Sequence, residues 1–275
     1  MQLEEVWSFR ISETLTIRYV FPVLETHVQL NSPKPTHLQT FFQGHNDDVT
    51  CVAVSRSGHL VASGQAGTDS DVILWNRTKR ELVYRFEEHD HGIRSVAFSH
   101  DERLLATLGV ERDNKLIVWD LATGKIVASM RNASLDVITF GGMIRDIKRR
   151  DTRNYQLAGA GEKGVVILSL DPYEGELTVE PVQMGTLVRK IVSLEFSPDC
   201  EFLYAGSSSG DVSVIMVKRN GVITSFQACR VGARTISTSE SRVYIGGGDG
   251  TVTVWSKRED YYGKISFLKT HSVQV

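Results

Sequence analysis

The chain has 275 residues, 41% of them apolar and 23% charged, and a net charge of −2. That balance excludes a disordered or collagen-like chain. It also excludes a chain-wide electrostatic grip on nucleic acid, which needs concentrated positive charge.

The first ten residues, MQLEEVWSFR, carry two acids where a secretory leader carries basic residues, and no apolar stretch follows. No apolar run approaches the ~18 residues of a membrane-spanning helix. The three cysteines, Cys51, Cys200 and Cys229, are too far apart for a disulfide framework or a metal knuckle. Sequons at Asn76 and Asn132 carry no weight without secretion. The expectation is a soluble, cytoplasmic protein with no membrane partner, metal or cofactor.

In chain order, VWSFRIS, TIRYVF, THVQL and THLQTFF within residues 3–42 read as four short strands. Residues 44–76, GHNDDVTCVAVSRSGHLVASGQAGTDSDVILWN, then align without a gap on residues 88–120, EHDHGIRSVAFSHDERLLATLGVERDNKLIVWD. His45 meets His89, Ser63 meets Thr107, Asp69 meets Asp113 and Trp75 meets Trp119, all at an offset of 44. Residues 131–153 fit the pattern poorly. Weaker copies follow: IVSLEFSPD at 191–199 matches IRSVAFSHD, and VYIGGGDGTVTVWS at 243–256 repeats the Asp-to-Trp spacing with Asp249 and Trp255. The Trp position runs through Trp75, Trp119, Leu168, Ile215 and Trp255, at spacings of 44, 49, 47 and 40.

Each repeat holds about four runs of β-branched and aliphatic residues cut by Gly, Asp, Asn or Ser. The run that opens each unit (VTCVAVS, IRSVAFS, IVSLEFS) is nearly continuous in apolar residues, as a strand covered on both faces requires. One such sheet cannot bury its faces alone and needs neighbours on either side.

A 40-to-49-residue period with Gly-His near its start and Trp-Asp at its end is the signature of WD repeats. The chain resembles an all-β WD-repeat β-propeller over nearly its whole length. The resemblance implies blades at 3–42, 43–86, 87–130, 131–183, 184–227 and 228–269, with residues 270–275 starting a further blade. Six blades and a stub imply either a ring that closes with six or, the favoured reading, part of a seven-bladed ring at the front of a longer protein. The resemblance also implies hydrogen-bonded tetrads, His45–Ser63–Asp69–Trp75 and His89–Thr107–Asp113–Trp119, in which the aspartate accepts from the imidazole. The sixth repeat keeps Asp249 and Trp255 without a matching histidine.

Gly44–Leu82 and NYQLAGAGEKGVVILSLD are similar to the N-terminal propeller of the cilia- and flagella-associated WD-repeat proteins of axonemal doublet microtubules. The echinoderm-type microtubule-associated WD-repeat family stands close behind. The resemblance implies a non-enzymatic scaffold in the cytoskeleton of the cilium or flagellum, with tubulin and neighbouring axonemal proteins as partners. A general cytoplasmic WD-repeat scaffold or ubiquitin-ligase substrate receptor is the alternative, and a propeller enzyme the third class.

Other patterns are weighed against plainer readings. Gly159–Gly164 fits G-x-G-x-x-G, but a strand-like VVILSL follows where a dinucleotide site needs a helix. His89-Asp90-His91 has no further ligand at metal spacing, and no G-x-S-x-G elbow marks a nucleophile. The basic residues Arg145, Lys148, Arg149, Arg150 and Arg153 are candidate contacts for an acidic partner, set against a solvated turn. Asp47, Asp48, Asp90 and His91, in loops before opening strands, are candidate partner contacts, although Asp also favours turns for backbone reasons. No small-molecule substrate is expected.

Overall fold

The structure is a computed structural model and describes residues 20–22, 27–30, 40–146, 148, 150–162, 164–185, 189–261 and 265–274. The short apolar runs form twenty-three strands among these residues. The chain divides into two compact units, Met1–Ile138 and Thr139–Val275.

In the first unit, sheet one holds β1 (Val20–Pro22), β2 (His27–Leu30) and β3 (Thr40–Gln43). The run VWSFRIS, expected as a further strand, lies outside the described residues. Sheet two is β4 (Val49–Val54), β5 (Leu60–Gln65), β6 (Thr68–Asn76) and β7 (Glu81–His91). Sheet three is β8 (Ile93–Phe98), β9 (Leu104–Gly109), β10 (Lys115–Asp120) and β11 (Ile126–Arg131).

Sheet four, whose first strand begins two residues before the division, is β12 (Val137–Arg145), β13 (Asp151–Gly161), β14 (Gly164–Asp171) and β15 (Glu176–Pro181). Sheet five is β16 (Ile191–Phe196), β17 (Phe202–Ser207), β18 (Asp211–Met216) and β19 (Gly221–Gln227). Sheet six is β20 (Ala233–Thr238), β21 (Arg242–Gly247), β22 (Thr251–Glu259) and β23 (Ile265–Gln274). Within every sheet, strands neighbour one another in chain order.

The serine ending each opening run closes the first hairpin. Ser55, Ser99 and Ser197 Oγ accept from the backbone N–H of Leu60, Leu104 and Phe202 at 3.1, 2.9 and 3.0 Å. The register slips at one equivalent place in four sheets, between Val49/Cys51, Ile93/Ser95, Ile191/Ser193 and Ala233/Thr235. Such a bulge turns the extra residue out of the ladder and increases twist. Thr50, one of these residues, uses its freed hydroxyl to bond Ile93 O of sheet three at 2.5 Å.

Apolar faces of adjoining sheets supply the core. In the first unit Cys51, Ala62, Val72 and Leu74 of sheet two pack in one cluster with Ile93, Val96, Leu105, Ile117 and Trp119 of sheet three. Burying each large aliphatic side chain contributes about 1.5–3 kcal/mol. Gly64 permits the approach, because a Cβ there would meet the Ile93 side chain at 2.6 Å. In the second unit Tyr204, Val212 and Val214 of sheet five cluster with Val243, Ile245 and Trp255 of sheet six.

Strand ends run past two of the expected blade bounds: β7 continues beyond residue 86 to His91, and residues 270–274 lie on β23, with Val254↔His271, Thr253↔Ser272, Val252↔Val273 and Thr251↔Gln274 paired. The pairing gives the N-terminal half of β22 its backbone partners, which exposed apolar pattern alone did not signal. Val275 lies outside the described residues.

Candidate functional site

Pairing register defines which residues are equivalent from sheet to sheet. Trp75 pairs with Val61, Trp119 with Leu105, Leu168 with Leu157, Ile215 with Leu203 and Trp255 with Val243. Around the indole positions stand the polar groups that fix each loop end.

His89, at the end of β7, reaches into sheet three: its Nδ1 is 2.6 Å from Asp113 Oδ2, and Nε2 is 2.8 Å from Thr107 Oγ1. Trp119 Nε1 donates to the same hydroxyl at 3.0 Å. A carboxylate only accepts, so Nδ1 carries the proton and the Thr107 hydroxyl donates to Nε2. Asp113 Oδ1 also accepts from Asp90 N at 2.8 Å and His91 N at 3.4 Å. One carboxylate thus ties the end of β7 to the β9–β10 turn. Burial is the leading cause holding the His89 pKa below its ordinary 6.5, against the opposing pull of Asp113.

Sheet two brings His45, Ser63 and Trp75 together but not Asp69. His45 Nε2 is 2.6 Å from Ser63 Oγ, which accepts from Trp75 Nε1 at 2.8 Å. The partner of His45 Nδ1 is Gln65 Oε1 at 2.8 Å, and Gln65 Nε2 donates to Asn46 Oδ1 at 2.6 Å. Asp69 is exposed, with φ 49°. The reason is the residue 44 places before Gly109. A Cβ at Gly109 would overlap Asp113, so glycine there admits the carboxylate; Gln65 fills the same space and supplies its own acceptor. Burial again lowers the histidine pKa as the leading cause.

Sequence reasoning missed two further members of sheet two. Arg85 pairs with Asp71 through Nη1, and its Nη2 donates to Gly44 O at 2.7 Å. The guanidinium therefore closes the loop site from the outer strand.

Sheet six is wired differently. Ile245 stands where Ser63 does, and its cross-strand partner Thr253 carries the hydroxyl instead. Trp255 Nε1 donates to Thr253 Oγ1 at 3.0 Å. Cys229 occupies the histidine position, four residues before Ala233 as His45 is before Val49. The thiol is buried, and burial pushes its pKa up. Asp249 Oδ1 accepts from Thr251 N and Oγ1 at 3.1 and 2.6 Å rather than from an imidazole. In sheet five, where Ile215 replaces the indole, Ser213 Oγ is buried without a partner among the described residues.

An aromatic residue on each of three outer strands covers the following sheet's indole. Phe42 stacks on Trp75 with centroids 5.1 Å apart, Phe86 lies 4.5 Å from Trp119, and Phe226 lies 4.4 Å from Trp255. These contacts bind sheet to sheet within each unit and keep the loops in fixed register.

Asp47 and Asp48 are exposed in the turn before β4, where Asp47 Oδ1 accepts from Asp48 N at 2.7 Å. Asp90 and His91 end strand β7 rather than lying in a free loop. Asp90 is paired with Lys115 at 2.6 Å, and that hydrogen bond leads the causes holding its pKa below the usual carboxylate value.

The basic stretch is largely neutralised. Arg145 pairs with Asp151 at 3.1 Å, Arg150 with Asp146 at 2.8 Å and Arg153 with Asp171 at 2.7 Å. Lys148 is exposed, and Arg149 lies outside the described residues. Gly159–Gly164 spans the β13–β14 hairpin, with Gly161 paired to Gly164, so a strand and not a helix follows the glycines. Among the described residues no group of three or more His, Cys, Asp or Glu could hold a metal ion.

The WD domain, G-beta repeat family matches residues 36–76 and 80–120, the segments that carry both histidine networks. The chain carries WD40 repeats. The WD40 repeats of RRP9 align over 100% of this chain and 82% of their own at 13% identity, with a TM-score of 0.72. The β-propeller domain of Myceliophteria_thermophila Cps50 (Swd1) aligns over 84% of this chain and 74% of its own at 18% identity, with a TM-score of 0.66. These likenesses establish the WD40 propeller fold.

Two curated relatives are similar in sequence. Cilia- and flagella-associated protein 52 of Chlamydomonas reinhardtii is 31% identical over 247 residues, 86% of this chain and 38% of the relative. The protein of the same name from Macaca fascicularis is 32% identical over 180 residues, 64% of this chain and 31% of the relative. This WD40-repeat chain spans about a third of the length of these relatives.

Proposed function

We propose that this WD40-repeat chain is a non-enzymatic interaction scaffold of the ciliary or flagellar axoneme, in the cytoskeleton, bound to doublet microtubules through tubulin or neighbouring axonemal proteins. The observation that carries the reading is the 31% identity to the Chlamydomonas reinhardtii cilia- and flagella-associated protein over 86% of this chain. The geometry is compatible with it. Buried histidine networks and indole contacts fix the sheets, while loop residues such as Asp47 and Asp48 remain exposed. Affinity then comes from a few buried anchors within a wider complementary face.

A second reading, a general WD-repeat scaffold, is favoured by the 30% identity over 95 residues to a WD repeat domain-containing protein 83 homolog of Dictyostelium discoideum. Extraction of cilia separates the two. A tagged endogenous protein that stays with axonemes through detergent and high salt supports the axonemal reading. Release of the whole pool into the soluble fraction overturns it and leaves the general scaffold.

A further inference from the structure

Sheet six contains a cleft of about 690 Å³ whose lining includes Cys229, Arg230, Asp249, Thr251, Lys269 and Ser272. Its origin follows from strand register. The equivalents in sheet two of Cys229, Gly247, Thr251 and Ser272 are His45, Gln65, Asp71 and Arg85. In sheet two these four side chains fill the site: the imidazole bonds Gln65, and Arg85 bonds Asp71 and Gly44 O. In sheet six the imidazole, the glutamine amide and the guanidinium give way to Cys229, Gly247 and Ser272; Asp249 and Thr251 reach the Gly247 position, and the remaining space is open.

The groups around that space are not neutral. Arg230 and Lys269 are both exposed and set against one carboxylate, Asp249. Asp249 is already engaged by the N–H and hydroxyl of Thr251. Val231 beside them is 54% exposed, giving the cationic mouth an apolar edge.

We infer that this cleft receives an acidic side chain from an extended segment of a partner protein, with the carboxylate between Arg230 and Lys269. In sheet two the chain closes the corresponding site with its own Arg85; in sheet six the partner fills it. The inference rests on the scaffold reading above and names the chemistry of one partner. An acidic segment fits because the two side chains at the mouth are basic, and opposite charge at a rim sets encounter rate and register.

The test uses the full chain and a fluorescein-labelled hexaglutamate peptide, read by fluorescence polarisation, with hexalysine as the control. Saturable hexaglutamate binding is expected, reduced by about tenfold or more in Lys269→Glu and in Arg230→Glu. Both residues are exposed, so folding is not at stake. Ser272→Trp, which fills the cleft without adding charge, is expected to block binding as well. Lys148→Glu, an exposed basic residue of sheet four, is expected to bind as the unaltered chain does.

No binding by the unaltered chain, equal binding in Lys269→Glu, or an inert Ser272→Trp each overturns the inference. Preference for an oligothymidylate, or self-association abolished by Lys269→Glu, assigns the cleft to another occupant and overturns it too. Axoneme retention of Ser272→Trp separates the two levels. Retention without peptide binding removes the cleft alone, whereas peptide binding without axoneme retention of the unaltered chain removes the axonemal reading.

Discussion

Sheets two and three share a sequence pattern over 33 residues at a constant offset of 44, and both place an imidazole between a hydroxyl and a side-chain acceptor. They differ in that acceptor. Sheet three uses the Asp113 carboxylate; sheet two uses the Gln65 amide and leaves Asp69 outside. A single residue decides between them. Glycine at 109 leaves room for a carboxylate from the following turn, and glutamine at 65 occupies that room and takes over its role. A motif spacing can therefore be intact while the contact it stands for is made by a neighbour.

The largest expected effect lies in sheet three. Asp113→Ala leaves the buried His89 N–H and the Asp90 N–H without their acceptor, which costs about 3 kcal/mol in urea unfolding. The comparison sharpens with a rescue. Gly109→Gln in the Asp113→Ala background imports the sheet-two arrangement and is expected to recover part of that loss. A double variant no more stable than Asp113→Ala would break the equivalence.

Gln65→Ala comes next, at about 2 kcal/mol, because the buried His45 N–H loses its acceptor. A loss smaller than that from Asp69→Asn would show that Asp69 supports His45 after all.

Acid acts on both sheets at once. The His45 and His89 pKa values are held below 6.5, first by burial. The unfolded chain therefore binds protons below about pH 6.5 that the folded chain excludes. The stabilisation from keeping both rings neutral is fully present above pH 6.5 and is lost as pH falls towards the folded pKa values. Urea midpoints measured from pH 8 to pH 5 are expected to hold level and then decline. A midpoint that rose on acidification would contradict neutral imidazoles.

The smallest effect is at Asp69. Asp69→Asn keeps a residue that tolerates the positive φ and removes only an exposed charge, so the change stays within about 0.5 kcal/mol. A loss comparable to that of Asp113→Ala would restore the symmetric tetrad.

Much of this arrangement was legible in the sequence because it repeats. The opening runs at 49, 93 and 191 begin strands at those residues, and the Trp positions fall at matching register points even where Leu168 and Ile215 replace the indole. Linear spacing could not show that Gln65 displaces Asp69, since that depends on who occupies one small volume. Nor could it show that Thr253 carries sheet six's hydroxyl across the strand pair, or that Arg153 reaches Asp171 on another strand. The offset-44 alignment did hold one unused signal: Gln65 opposite Gly109, a large side chain against none.

The scaffold account is tested most directly by zero-length carbodiimide cross-linking of isolated axonemes, followed by mass spectrometry of the tagged protein. It joins lysine to carboxylate only where the two already touch. The account predicts that the protein is present in the axonemes and that Lys269 is joined to aspartate or glutamate residues of an axonemal protein. Recovery of the protein only from the soluble fraction, with no axonemal cross-link, would contradict it.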